Sequence, residues 1–289
     1  LFNQSFIKPI TVATVDQLLT AGFNAGRWVL KEINAANSVI IFDEIHAYDT
    51  WTLGLIVSMI KHLAPLGARF MIMSATLPKT LEELLIKCLS GIGKAKLQKS
   101  NEYSRAKKCK YYCMDDLIDS DIAVSQIKDA AEREKRVLVV VNTVKACQDL
   151  AQKLKTFNPT CYHSQFILKD RTQIEKQINL FNEGKTPHLL IATQVIEVSL
   201  DINYDWLFTE CAPPDALVQR AGRINRYLET NHDSKIFIYH PNEISKKIYD
   251  SVNDDRLLER TFDIFKGVLG SEPKELTNDS ICPQRTCSK

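Results

Sequence analysis

Short runs of β-branched and apolar residues, set between amphipathic segments, constrain this chain more than any other feature. They are TVAT (11–14), SVIIF (38–42), RFMIMSA (69–75), RVLVVV (136–141), HLLIAT (188–193) and DWLFTE (205–210). Runs this short, with no strict apolar–polar alternation, read as strands buried on both faces, hence parallel strands joined by crossover helices. The predicted class is α/β. Helix signals fill the intervals: Thr80-Leu81-Glu82-Glu83 has capping-box character after Pro78, and Asp170-Arg171-Thr172 opens a periodic stretch that Gly184 closes. A chain of 289 residues accommodates two cores. The lysine-rich, aperiodic stretch 94–110 separates three strand runs from three others and is the predicted linker. The expected boundaries are 1–100 for a first lobe, 101–245 for a second, and 246–289 for the start of a linker or C-terminal extension.

Composition narrows function only by exclusion. With 45% hydrophobic and 25% charged residues the chain is ordinary globular protein. A net charge of +2 gives no overall basic field, so any nucleic-acid contact must come from local groove chemistry. The eight cysteines show no C-x-x-C spacing, and reduced thiols are expected rather than zinc. No basic leader precedes an apolar core, and no apolar run reaches spanning length, so no membrane partner and a cytoplasmic location are expected. The first residue is Leu1, not methionine, and the true N-terminus is expected upstream. Trp28, Trp51 and Trp206 sit in apolar settings and are expected to pack in cores.

Three segments carry chemistry. VIIFDEIHAYD (39–49) delivers Asp43 and Glu44 at a strand end, where ligands of open parallel sheets bind. One carboxylate there can hold magnesium through its water shell while its neighbour handles an attacking water; taken alone, Asp-Glu after a strand is more often a solvated turn. MSATLP (73–78) ends the next strand with small hydroxyl residues able to bond neighbouring carboxylates. PPDALVQRAGRINR (213–226) opens as a helix on two prolines and carries Gln219, Arg220, Arg223 and Arg226. Arginines so spaced suit a phosphate, and Gly222 is expected to end the turn and leave Arg223 and Arg226 pointing away from their own lobe. His163, in TCYHSQF, is by itself more often a satisfied core histidine than a functional one.

Taken in order, DEIH, SAT and QRAGRINR resemble the motifs of superfamily 2 DExH helicases. DEIHAYD, SATLP, HSQF with KDR, and ATQVIEVSLDI leading to QRAGRINR resemble, more narrowly, the CRISPR-associated helicase-nuclease of type I interference systems. That resemblance implies two RecA-like lobes with parallel sheets, the first truncated at its N-terminus, and the cofactors ATP and Mg2+. It implies that Asp43 binds magnesium with ATP, that Glu44 activates water, and that His46, Ser74 and Thr76 couple hydrolysis to movement. Gln219, Arg223 and Arg226 match the motif whose arginines act on the γ-phosphate. Arg220 and Asp201 fall at nucleotide-binding positions, and His163 becomes a candidate cleft residue. Thr14, Asp16 and Gln17, with Thr193 and Gln194, match segments that track a single strand. The implied partners are single-stranded DNA, a CRISPR RNA-guided surveillance complex, and a nuclease domain in the same or another chain.

No glycine-rich phosphate cradle ending in Gly-Lys-Ser/Thr precedes Asp43. Gly91-Ile92-Gly93-Lys94-Ala95 follows the DEIH strand and lacks the hydroxyl, and Asn231-His232-Asp233-Ser234 reads as a polar turn rather than nuclease chemistry. The expected function is therefore the translocase core of a CRISPR interference effector in antiviral defence, with little ATP turnover by this chain alone. A non-catalytic, nucleic-acid-binding or scaffolding remnant and a DExH RNA helicase are the alternatives.

Overall fold

The computed structural model describes residues 7–23, 27–74, 77, 79–93, 109–184, 186–227, 233–250, 256–269 and 274–276. They fall into two compact units, Leu1–Ser100 and Asn101–Lys289. In the first, α1 (Val15–Gly22) and α2 (Trp28–Ala35) precede β1 (Val39–Phe42), α3 (Thr50–Leu63), β2 (Arg69–Ile72) and α4 (Lys79–Leu89). β1 and β2 pair in parallel, Val39 opposite Arg69 and Phe42 opposite Ile72, with α3 as the crossover. Asp49 starts α3 by accepting hydrogen bonds from Thr52 N (2.9 Å) and Thr52 Oγ1 (2.8 Å). The helix then buries Ile56, Met59, Ile60 and Leu63, one apolar stripe at helical spacing. These pack with Leu18, Leu19, Phe42 and Ile45 into one core. Gly67 makes the turn into β2 at φ +93°, where an added Cβ would lie 2.2 Å from Asn37 Oδ1.

The opposite side of this strand pair is bare: Val39 is 67% exposed, Ile41 56% and Met71 52%. Residues 11–14 belong to no strand, contrary to expectation, and Val12 is almost fully exposed. β-propensity needs a ladder neighbour to act on, and these residues pair with neither β1 nor β2.

The second unit is β3 (Cys109–Met114), α5 (Asp121–Glu132), β4 (Val137–Val140), α6 (Val144–Lys153), β5 (Thr160–Tyr162), α7 (Leu168–Gly184), β6 (Leu189–Ala192), α8 (Ile196–Ser199), β7 (Trp206–Glu210), α9 (Pro214–Ala221), β8 (Lys235–Tyr239), α10 (Glu243–Tyr249), α11 (Leu257–Leu269) and β9 (Lys274–Leu276). The sheet order is β5-β6-β4-β7-β8-β3-β9. All neighbours are parallel except β9, which runs antiparallel to β3. Alternate residues of β4 feed two cores: Leu138 and Val140 on one face, Val137 and Val139 on the other. α11, from the stretch expected to be linker or extension, buries Phe262, Phe265 and Leu269 in the first of these cores. The linker expected at 94–110 lies outside the described residues except for its last two, which begin β3. Among the tryptophans, Trp206 is buried, but Trp51 is 75% exposed.

His188, just before β6, is buried with Nε2 2.8 Å from Thr160 Oγ1 and Nδ1 2.8 Å from the Tyr204 hydroxyl. Burial lowers its pKa to about 4. The folded protein therefore resists a proton that the unfolded chain takes up near pH 6.5. Stability from this residue is fully present above that pH and falls as pH drops from about 6.5 to about 4, by roughly 1.4 kcal/mol per unit at most. Urea unfolding of His188→Gln is expected to show a flatter slope across this window than wild type; identical slopes would remove His188 from the acid response.

Candidate functional site

In the first unit the site is built at the carboxyl ends of β1 and β2. Asp43 follows β1 directly and is exposed; its Oδ1 accepts a hydrogen bond from Glu44 N at 2.9 Å. Glu44 sits at φ 50°, ψ 47°, in the left-handed region, a conformation that costs a non-glycine residue on the order of 1 kcal/mol. Backbone bonds hold it there: Ile45 N donates to Met73 O (3.1 Å) and Ala47 N to Glu44 O (2.9 Å). The twist turns the Glu44 side chain toward His46, with Oε2 3.3 Å from His46 Nδ1. That oxygen is buried without a well-aligned hydrogen bond. His46 Nδ1 and Ser74 Oγ share a hydrogen bond of 2.6 Å, so the two strand ends are tied through the motif side chains themselves.

Asp43, Glu44, His46 and Ser74 thus come together as the sequence predicts, while Thr76 lies outside the described residues. Burial, then the charges of Asp16 and Asp43, push the Tyr48 hydroxyl upward, which places Asp16 within electrostatic reach of the same strand end. Thr14 is exposed at the start of α1. Gln17 is engaged inward: Lys31 Nζ donates to its backbone oxygen (2.8 Å) and lies 3.4 Å from Oε1. An exposed carboxylate beside a half-buried one is a donor set suited to a hydrated hard cation and a water. Among the described residues no cradle accompanies it. Gly184-Lys185-Thr186 has the terminal triplet of one, but Gly184 closes α7, where free carbonyls repel phosphate, and the free N–H groups that bind it are at a helix start.

In the second unit a buried polar cluster lies at the carboxyl ends of β4, β6 and β7. Its centre is Arg220 on α9, fully buried. Arg220 donates through Nε to Glu197 Oε1 (2.8 Å), through Nη1 to Thr209 Oγ1 (2.9 Å) and Glu210 O (3.0 Å), and through Nη2 to Asn142 Oδ1 (2.9 Å). Burial raises the Glu197 pKa against the opposing pull of Arg220. Glu210 Oε2 accepts from Asn142 N (3.0 Å), and Oε1 accepts from Ser245 Oγ (2.6 Å) on α10. Gln194 donates to Asn142 O and the Tyr249 hydroxyl, both at 2.9 Å, and Thr193 beside it is buried.

This geometry corrects two expectations about the arginine motif. Arg220 does not offer its guanidinium to a phosphate, because its nitrogens are spent on four acceptors of its own unit. Arg223 does not point away: it is buried, and it donates to Leu200 O (2.7 Å) and Glu197 O. Gly222 is right-handed at φ −58° and continues the turn, which keeps Arg223 inward. Arg226 is exposed, with Nε 2.8 Å from Asp201 Oδ1, and Gln219 is half-buried. Asn142, Glu197 and Glu210 were not foreseen, although Asn142 and Glu210 stand where β-branched runs end in a polar residue. His163 is buried against Phe166, ring centroids 4.3 Å apart.

Residues 3–84 match the DEAD/DEAH box helicase family model, in agreement with the parallel strand pair and the carboxylates at its end. Residues 133–229 match the C-terminal model of the CRISPR-associated nuclease/helicase Cas3. A putative CRISPR-associated nuclease/helicase Cas3 of Methanocaldococcus jannaschii is 31% identical over 283 residues, covering 89% of this chain and 38% of that protein. Over most of its length the chain is therefore similar to Cas3 proteins. The crystal structure of T. fusca Cas3-ADP shares the fold, with a TM-score of 0.82 at 20% identity over 99% of this chain and 39% of the other. A chain of a CRISPR RNA-guided surveillance complex in a pre-nicking state gives 0.77 at 20% identity, over 98% and 41%. The chain thus spans about two fifths of the relatives' length. Among the described residues no helix is long and apolar enough to cross a membrane.

Proposed function

We propose that the chain is part of an ATP-dependent translocase that moves on single-stranded DNA in CRISPR interference. The carrying observation is the Asp43-Glu44-His46-Ser74 cluster, in which a strained glutamate faces His46 and is tied through it to the next strand. Asp43 would hold hydrated Mg2+, which offsets charge on the triphosphate, and Glu44 would orient and deprotonate the attacking water. His46 and Ser74 would report that event to the β2 end. In the second unit Arg226, the exposed arginine, would contact the γ-phosphate, with Gln219 beside it and Asp201 releasing Arg226 to meet the ribose. Arg220 and Arg223 act as positioning residues that hold the loop from beneath. Thr14 and Asp16 are displayed for a strand; Thr193, Gln194 and Gln17 would shape the backbone behind it.

The names of the relatives support this reading, as does the likeness to a chain of a surveillance complex, the proposed partner together with a nuclease domain. These 289 residues are expected to turn over ATP at background level, because the site contains no phosphate cradle. In protein supplied with one, single-stranded DNA is expected to stimulate ATP hydrolysis at least tenfold over single-stranded RNA of the same length. Stimulation by RNA alone would establish the RNA-helicase reading, and strand binding without turnover the scaffold reading.

A further inference from the structure

Cys147 on α6 and Cys161 on β5 stand with their sulfur atoms 3.3 Å apart, although they are 14 positions apart in the chain. Neither belongs to the clusters described above. Cys147 is fully buried, with its sulfur also 3.3 Å from Ile191 O. Cys161 is half-buried and opens onto a surface groove lined by Gln148, Gln152, His163 and Phe166. The thiols share one hydrogen bond. That contact pulls the Cys161 thiol down, while the same contact, and then burial, push Cys147 up. The thiolate is the reactive form, so the sulfur that faces the groove is also the more readily ionised.

We propose that Cys147 and Cys161 form a redox-modification site at which a hydroperoxide closes a disulfide between α6 and β5. The Cys161 thiolate attacks one oxygen of hydrogen peroxide, the O–O bond breaks, and Cys161 becomes a sulfenic acid while the expelled hydroxide takes a proton to form water. The Cys147 sulfur then displaces hydroxide from the sulfenic sulfur, and its own proton completes the second water. Two thiols lose two electrons, and one peroxide is reduced to two waters. The sulfurs need to approach by only about 1.2 Å to reach bonding distance. β5 runs directly into His163, whose Nε2 is 3.4 Å from Gln148 Nε2 on α6, so the bond would lock the floor of the groove.

Peptide mapping of the reduced chain after graded hydrogen peroxide and alkylation tests the proposal. The expected result is one cross-linked species joining the Cys147 and Cys161 peptides, lighter than their sum by two hydrogen atoms and lost on adding a thiol reductant. In Cys147→Ser, peroxide is expected to leave Cys161 as a sulfenic acid captured by dimedone. In Cys161→Ser, Cys147 is expected to remain alkylatable. Recovery of both wild-type cysteines singly alkylated, at doses that fully oxidise free glutathione in the same tube, would overturn the proposal. The wild-type arm stands whether or not either variant folds.

Discussion

Arg220→Ala is expected to lower the unfolding free energy by about 3–5 kcal/mol, the range for removing one partner of a buried ion pair. The loss does not come from the pair alone. Arg220 donates to Glu197, Thr209, Glu210 and Asn142 at once, so its removal strands a carboxylate and takes a donor from three further acceptors in a low-dielectric interior. Those acceptors lie at the ends of β4 and β7 and on α8, so the damage would spread to the strand ends that the site depends on. Arg220→Lys is expected to recover only a minor part, since one ammonium cannot span acceptors arranged around a planar fork. Urea unfolding followed by tryptophan fluorescence reads the effect. An alanine variant within about 1 kcal/mol of wild type would mean that the cluster is ornamental to the fold, against the general cost of uncompensated buried charge.

Much of the fold was legible because buried parallel strands have a plain chemical signal. β1, β2, β4, β6 and β7 each fall inside a run named from the sequence, and Pro214 opens α9 at its first position as expected. β3 was hidden because Cys109-Lys110-Tyr111-Tyr112 places a lysine within a short run beside a polar stretch. Lys235-Ile236-Phe237-Ile238-Tyr239 carries a strand signal as strong as that of β6, but it follows a polar turn and stands outside the runs named at first. TVAT has the opposite fault: good propensity with no neighbour to pair with.

For the site, residues at strand ends were readable and those turned inward were not. Asp43, Glu44 and Ser74 stand where an apolar run stops, which sequence shows directly. Arg220 was read as phosphate-seeking although its spacing says otherwise. Ala216, Leu217, Arg220 and Ala221 share the buried face of α9, and that i, i+1, i+4, i+5 pattern places the arginine in the core. Arg223 could not be assigned in this way, because its direction is set by a right-handed Gly222 and by carbonyls at Leu200 and Glu197. The contact between Cys147 and Cys161 is likewise invisible without the fold, since it depends on how α6 packs on β5.

Glu44→Gln is the other change with a large expected effect. Glutamine keeps the shape of the side chain and can retain contact with His46, but it cannot take a proton from water. A positioned general base is worth roughly 10²–10⁴ in rate. The left-handed backbone at Glu44 is held by Met73 O and by its own bond from Ala47 N, so the substitution should leave the fold and nucleotide affinity intact. ATP turnover stimulated by single-stranded DNA, compared between wild type and Glu44→Gln in protein carrying a phosphate cradle, therefore tests most directly whether this strand end is the hydrolytic half of an ATP site. The predicted result is a fall of a hundredfold or more with nucleotide binding unchanged within about threefold. A variant that hydrolyses ATP at the wild-type rate would contradict it.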